Sequence, residues 1–194
     1  MLRVIVEGDS RQRMIETAAV VMRERGVEAT SFSEVLARSG APRGSIYHHF
    51  PGGKAQLIEE ATQYAGEFTA SGLAAALEDD DPVAAITTFT ASWLRILRKT
   101  DFGGGCSVVA ASLEGERLPA ARDAAAAAFT HWEELLSAAF ARHVDSAARA
   151  QTLATLVIAS IEGAIVLARA TRSSGPLERV ASELERVLAD AIAR

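Results

Sequence analysis

The stretch TSFSEVLARSGAPRGSIYHHFPGGK, residues 30–54, is punctuated so closely that it leaves room for two short helices and little else. Ser31-Phe32-Ser33-Glu34 has the capping-box pattern, in which the Ser31 hydroxyl accepts from the Glu34 amide while the Glu34 carboxylate reaches back. The helix it opens turns Phe32, Val35 and Leu36 inward and stops at Ser39-Gly40. Pro42 then sits where the first turn of a new helix has no use for an amide donor. Phe50-Pro51-Gly52-Gly53 closes that helix after about two turns. Ile46 and Phe50, four apart, face inward together, which leaves Arg43, Ser45, Tyr47, His48 and His49 outside or at the rim. Upstream, Met14, Ala18, Val21 and Met22 recur at helical spacing from a start at Asp9 or Ser10 until Gly26. Three helices, with about three residues turning the second into the third, make a helix-turn-helix. A short exposed helix tipped with donors suits a DNA major groove.

The remainder also reads as helix. Lys54 to Leu77 carries Leu57, Ala61, Tyr64 and Phe68 on a stripe, with Gly66 and Gly72 inside it at about 1 kcal/mol each relative to Ala. Asp79-Asp80-Asp81-Pro82 ends that helix and starts the next, whose stripe is Ile86, Phe89, Trp93 and Leu97 and whose far end holds Arg95, Arg98 and Lys99. Gly103-Gly104-Gly105 breaks the chain and lacks the Lys-Ser/Thr of a phosphate loop. A short helix follows around Cys106 to Leu113, and Pro119 opens another bearing Phe129, Trp132, Leu136 and Phe140. Two more, at 146–172 and 177–193, are separated by Ser173-Ser174-Gly175-Pro176. The expected architecture is all-α with about nine helices. It divides into a helix-turn-helix domain at 1–53 and a helical ligand-binding and dimerisation domain at 54–194.

Charge separates the same two parts. Residues 1–54 hold eight Lys/Arg against six Asp/Glu, leaving twelve against nineteen beyond, so a mildly basic head sits on an acidic body within a net charge of −5. Contact with a polyanion is therefore open to the head alone. The single cysteine, Cys106, excludes an internal disulfide and gives no metal-ligand set, and adjacent His48 and His49 point about 100° apart. No metal or cofactor is expected. The apolar start is cut by Glu7 and no later apolar run reaches membrane length, so the expected place is the cytoplasm, with no membrane partner.

GVEATSFSEVLARSGAPRGSIYHHFPGGKAQL, with Gly44, Tyr47, His49, Phe50 and Lys54 in place, resembles the TetR family of one-component bacterial repressors. Pro-Gly-Gly-Lys after the aromatic residues, and Gly-Cys-Ser-Val-Val-Ala-Ala-Ser-Leu-Glu from Gly105, look most like its LmrA/YxaF branch. The resemblance implies that Thr30, Ser31, Tyr47, His49 and Lys54 clamp phosphates while Arg43, Ser45 and His48 lie nearest base edges. Elementary chemistry runs the same way. A guanidinium forks onto guanine, hydroxyls and a lysine at a helix start suit phosphate oxygens, and Gly44 lets the backbone come close. Pro42 stands where the family often has Ser or Thr, and the spacing from Phe50 to Lys54 is one residue longer than usual. The resemblance further implies a repressor that binds a palindromic operator as a homodimer and is released by a small apolar or aromatic effector.

In the body, Phe89, Trp93, Phe129 and Trp132 either line an effector cavity or form ordinary core, and the stripe of Tyr64 and Phe68 aims at the same cavity. Glu162 interrupts TLVIASIEGAIVLA, where an unpaired buried carboxylate costs on the order of several kcal/mol. It needs a partner, a ligand or an exposed edge. Cys106 and His131 are weaker pocket candidates. Ala154, Val157, Ile161, Ala164 and Ala168, with Val180, Leu184, Val187 and Ala191, offer faces for a dimer through the last two helices. The alternatives are a helical interaction module without DNA binding, or a small enzyme using Cys106, for which no general base is apparent.

Overall fold

The computed structural model describes residues 10–192, so Asp9 as a helix start and 193 as a helix end fall outside the described residues. Among those residues there are nine α-helices and no strand, in keeping with the all-α expectation. They are α1 Ser10–Arg25, α2 Phe32–Ser39, α3 Ser45–His49, α4 Gly53–Ala76, α5 Pro82–Lys99, α6 Ser107–Ser112, α7 Pro119–Phe140, α8 Ala147–Thr171 and α9 Gly175–Ile192, with one 3-10 turn at Gly115–Arg117.

Local chemistry sets most boundaries. Ser31 caps α2 by accepting from the Glu34 amide at 3.2 Å. The return half of the capping box does not form, because the Glu34 carboxylate is held instead by Arg25 at 2.8 Å and Arg38 at 2.6 Å. Gly40 ends α2 in the left-handed region at φ 67°, sending its amide to the Leu36 carbonyl. Asp81 caps α5 by accepting from the Val83 and Ala84 amides ahead of Pro82. The third helix is shorter and later than Pro42 predicts. The Ser45 amide and hydroxyl both donate to the Pro42 carbonyl, at 3.0 and 2.7 Å, making Pro42-Arg43-Gly44 a turn in front of a five-residue α3.

The chain forms two compact units, divided differently from a single boundary after residue 53. One takes the sequence up to Ala65 together with Ser107–Ala126; the other takes Gly66–Cys106 and the sequence from Ala127 onward. In the first, α1 packs on α2, α3 and α6, around Met14, Ala18, Met22, Val35, Ile46, Phe50, Leu57 and Val108. In the second, α8 packs on α9 and α5, and α5 on α9, around Ile86, Trp93, Leu97, Trp132, Leu136, Phe140, Leu153 and Leu184.

α4 runs through the division at Ala65/Gly66, and its buried face changes there. Leu57, Ile58, Ala61 and Thr62 are buried before it, and Gly66, Ala70 and Leu73 after it. At 100° per residue the second set is turned from the first by about a third of a turn. Phe68 continues the first stripe and is therefore 69% exposed. Gly66 is needed where α4 meets α7: a Cβ there would lie 2.7 Å from the Ala128 Cβ, and the Trp132 indole donates to the Gly66 carbonyl at 3.0 Å.

α8 is apolar on two faces. Ala154, Val157, Ile161, Ala164 and Ala168 are buried in the monomer core, so these positions are not a surface for a second copy. The outer side of the helix exposes Leu156, Val166 and Leu167. Together the faces make α8 long and apolar enough, by length and composition, to cross a membrane, at a mean hydropathy of 1.8 over its best window, which corrects the expectation that no such run exists.

Candidate DNA interface and effector cavity

In the first unit, α3 is fixed from inside by fully buried Ile46 and Phe50, and the same geometry turns Arg43, Gly44, Tyr47 and His48 outward. The Tyr47 ring meets Phe32 edge-on at 5.5 Å, which steadies it while leaving the residue 70% exposed. His49 is half-buried with Nε2 3.2 Å from the Ser10 hydroxyl, so it braces α3 against the start of α1. The Lys54 ammonium donates to the Glu28 carbonyl at 3.0 Å and keeps two further protons to offer. Ser31 and Ser45 are half-buried, and their hydroxyls already take part in the caps and turn around α2 and α3. Thr30 corrects the sequence expectation. It is fully buried and its hydroxyl donates to the Gly26 carbonyl at 3.0 Å, so it shapes the turn before α2 and has no proton left to donate to a phosphate.

Part of the head's positive charge is taken up by ion pairs within it. Arg11 pairs with Glu60 at 2.6 Å and lies over the Phe50 ring, Arg25 pairs with Glu34, and Arg38 bridges Glu24 and Glu34. Among the described residues Arg43 has no such pair. It stands in the turn in front of α3, rather than one residue inside the helix.

In the second unit a cavity of about 20 Å³ is lined by Leu73, Phe89, Trp132, Leu136, Val157, Ile158, Ile161 and Glu162. That is room for about one water, well short of a drug-sized ligand, so an effector has to push side chains aside. Phe89, Ile158 and Glu162 are half-buried and mark the side on which it opens. Oε2 of Glu162 has no hydrogen-bond partner although the atom is buried. Burial pushes this carboxyl up to about 7, partly offset by the Cys106 thiol, which donates to it.

Of the residues expected here, Phe89, Trp132 and Glu162 come together on the cavity wall and Cys106 joins them through Glu162. Phe129 stacks edge-on against Trp132 at 5.2 Å without lining the space, and Trp93 is buried in core away from the lining. Tyr64 belongs to the other unit, where burial and the charge of Glu16 raise its phenol's pKa, and Phe68 faces solvent. Neither lines the cavity. Sequence reasoning missed Val157, Ile158 and Ile161 as lining; only Ile158, four positions before Glu162, shares its side of α8, while Ile161 and Val157 lie about 100° and about 140° round the helix.

Residues 14–61 match the N-terminal model of bacterial regulatory proteins of the tetR family, and residues 82–183 match the C-terminal domain of LmrA/YxaF-like transcriptional regulators. An uncharacterised HTH-type transcriptional regulator of Mycobacterium tuberculosis is 40% identical over 184 residues, covering 92% of this chain and 93% of the relative. The HTH-type transcriptional regulator LmrA of Bacillus subtilis is 32% identical over 180 residues, covering 90% and 94%. A TetR transcriptional regulator from Legionella pneumophila has the same fold at a TM-score of 0.84, with 20% identity over 93% of this chain and 97% of that one.

Proposed function

This chain belongs to the tetR family of bacterial regulatory proteins, in the branch with an LmrA/YxaF-like C-terminal domain, and we propose that it works as a homodimeric repressor. The dimer grips a palindromic operator with α3 and lets go when a small apolar or aromatic molecule enters the cavity of the second unit. As a helix-turn-helix transcriptional regulator it is of a class that is generally not enzymatic. α3 carries the DNA reading: Ile46 and Phe50 lock one side, while Arg43, Tyr47 and His48 are exposed on the other. Arg43, free of any intramolecular ion pair among the described residues, is the group assigned to bases. Tyr47, Ser31, His49 and Lys54 position the backbone, with Ser45, His48 and Gly44 at the closest approach. Titrating labelled duplex of the gene's own promoter, beside a scrambled duplex, tests this; equal affinity for both defeats it.

The dimer contact belongs on the outer side of α8. Thr152, Leu156, Ala159, Gly163, Val166 and Ala170 recur at alternating spacings of four and three, and all are exposed in the monomer. Nothing lies within 4 Å of where a Gly163 Cβ would stand, so the monomer does not require glycine there. A second helix crossing closely at Ala159 and Gly163 supplies a reason. Val180, Val187 and Ala191 of α9, all half-buried, extend the face. A DNA target and a face covered by a second copy also account for α8 without a membrane, placing the protein in the cytoplasm.

Induction has three covalent routes. α4 crosses the unit division at Ala65/Gly66, α7 crosses it at Ala126/Ala127, and the Cys106–Ser107 peptide leads straight into α6, which packs on α1. A ligand that engages Glu162 acts on the partner of Cys106 and so on the start of α6. The shift follows only if the ligand prefers the released state, with a coupling of about 1–3 kcal/mol typical of such switches.

A further inference from the structure

The cavity wall contains a single unanswered polar group. Leu73, Phe89, Leu136, Val157, Ile158 and Ile161 offer none, and the indole donor of Trp132 is already bonded to the Gly66 carbonyl. What remains is Oε2 of Glu162, a buried acceptor with no partner, beside a carboxyl bonded by the Cys106 thiol. Buried acceptors are nearly always satisfied by protein, water or ligand.

Resting on the reading of this cavity as the effector site, we propose that its ligand is an apolar molecule bearing one hydrogen-bond donor, an ammonium or a hydroxyl, set on Oε2 of Glu162. Anionic and donor-free molecules are discriminated against. A donor completes the shell of the carboxylate while the apolar body replaces Phe89 and Ile158 against the remaining wall. An anion brings a second negative charge into a space whose lining has no cation to offset it. The Cys106 thiol also donates to the carboxyl and so favours the same ionised form. The carboxyl is pushed up to about 7, so donor binding strengthens as pH rises through neutrality. An ammonium should bind about tenfold more tightly at pH 8 than at pH 6.

The experiment uses probes of one size, benzylamine, benzyl alcohol, toluene and benzoate, titrated into the full chain by calorimetry at pH 8. Expected are benzylamine and benzyl alcohol at least about fivefold tighter than toluene, with benzoate weakest. Glu162→Gln should abolish the advantage of benzylamine over benzyl alcohol together with its pH dependence, and Glu162→Leu should make toluene the best ligand. If a variant fails to fold, the order of the four probes on the unaltered protein at pH 6 and pH 8 decides alone. Equal binding of benzylamine and toluene, or a preference for benzoate, overturns the donor requirement and leaves the effector site standing. Binding of none overturns the effector site too. Promoter binding by the same preparation separates either failure from failure of the DNA reading.

Discussion

Glu162→Gln should make the protein's stability respond less to pH, with a sign fixed by the structure. The carboxyl titrates near its ordinary 4.5 in the unfolded chain but at about 7 in the folded one, because burial disfavours its charge. Between these values the native state holds a proton that the unfolded state has released. Stability is therefore full below about 4.5, falls as pH rises through the window, and levels off above about 7. The distance from 4.5 to about 7, at about 1.4 kcal/mol per unit, amounts to about 3 kcal/mol. Glutamine keeps the size and the acceptor but cannot ionise. Its own amide donors in the cavity cost a constant amount at every pH, so the informative quantity is the slope of the difference. Urea unfolding of both proteins, at one protein concentration so that dimer dissociation contributes equally, should show the variant gaining about 3 kcal/mol on the parent from pH 4.5 to pH 8. Groups common to both cancel. A difference that stays flat across the window would refute the burial of this carboxyl.

Further outcomes follow from the same structure. Gly66→Ala should destabilise by about 1–2 kcal/mol in urea titration, since its Cβ meets Ala128 at 2.7 Å, whereas Gly72→Ala, with open space, should stabilise by up to about 1 kcal/mol. Leu156→Glu combined with Val166→Glu should give a folded monomer by sedimentation that no longer holds a palindrome, while Glu at Val157 should unfold the second unit instead. Arg43→Ala should cost about 1–3 kcal/mol on a specific duplex and much less on a scrambled one. Lys54→Ala should weaken both duplexes alike and flatten the salt dependence by about one unit of slope.

Where local chemistry decides, the sequence was readable. Ser31, Gly40 and Asp81 set helix ends through bonds to residues within four positions of each, and Pro82 sits in the first turn of α5 where no amide donor is needed. Some failures involve partners further off, as where Glu34 leaves its own cap for Arg25, nine residues back; others are local bonds that compete with the expected ones, Thr30 turning inward to Gly26 and Ser45 closing a turn on Pro42. The stripe from Leu57 to Phe68 is a sound helical pattern, yet α4 changes neighbours at Gly66, and periodicity carries no sign of that change. α8 is the hardest case, because a helix apolar all round does not say which face is core. Its buried inner face reads equally well as a contact for a second copy, and nothing in the pattern marks the outer stripe of Leu156, Gly163 and Val166 as the exposed one. Glu162 was legible as an anomaly, and once it is placed, helical arithmetic supplies Ile158 one turn before it, whereas Val157 and Ile161 reach the cavity only through the packing around α8.

The most direct test of the central claim is selection of binding sites from a pool of random duplexes by the full chain, followed by titration of the winners. Expected is an inverted repeat with half-sites spaced by whole helical turns, about 34–36 Å or a multiple. Arg43→Ala should enrich a degenerate version of the same repeat. A folded, dimeric preparation that enriches no sequence would contradict the claim.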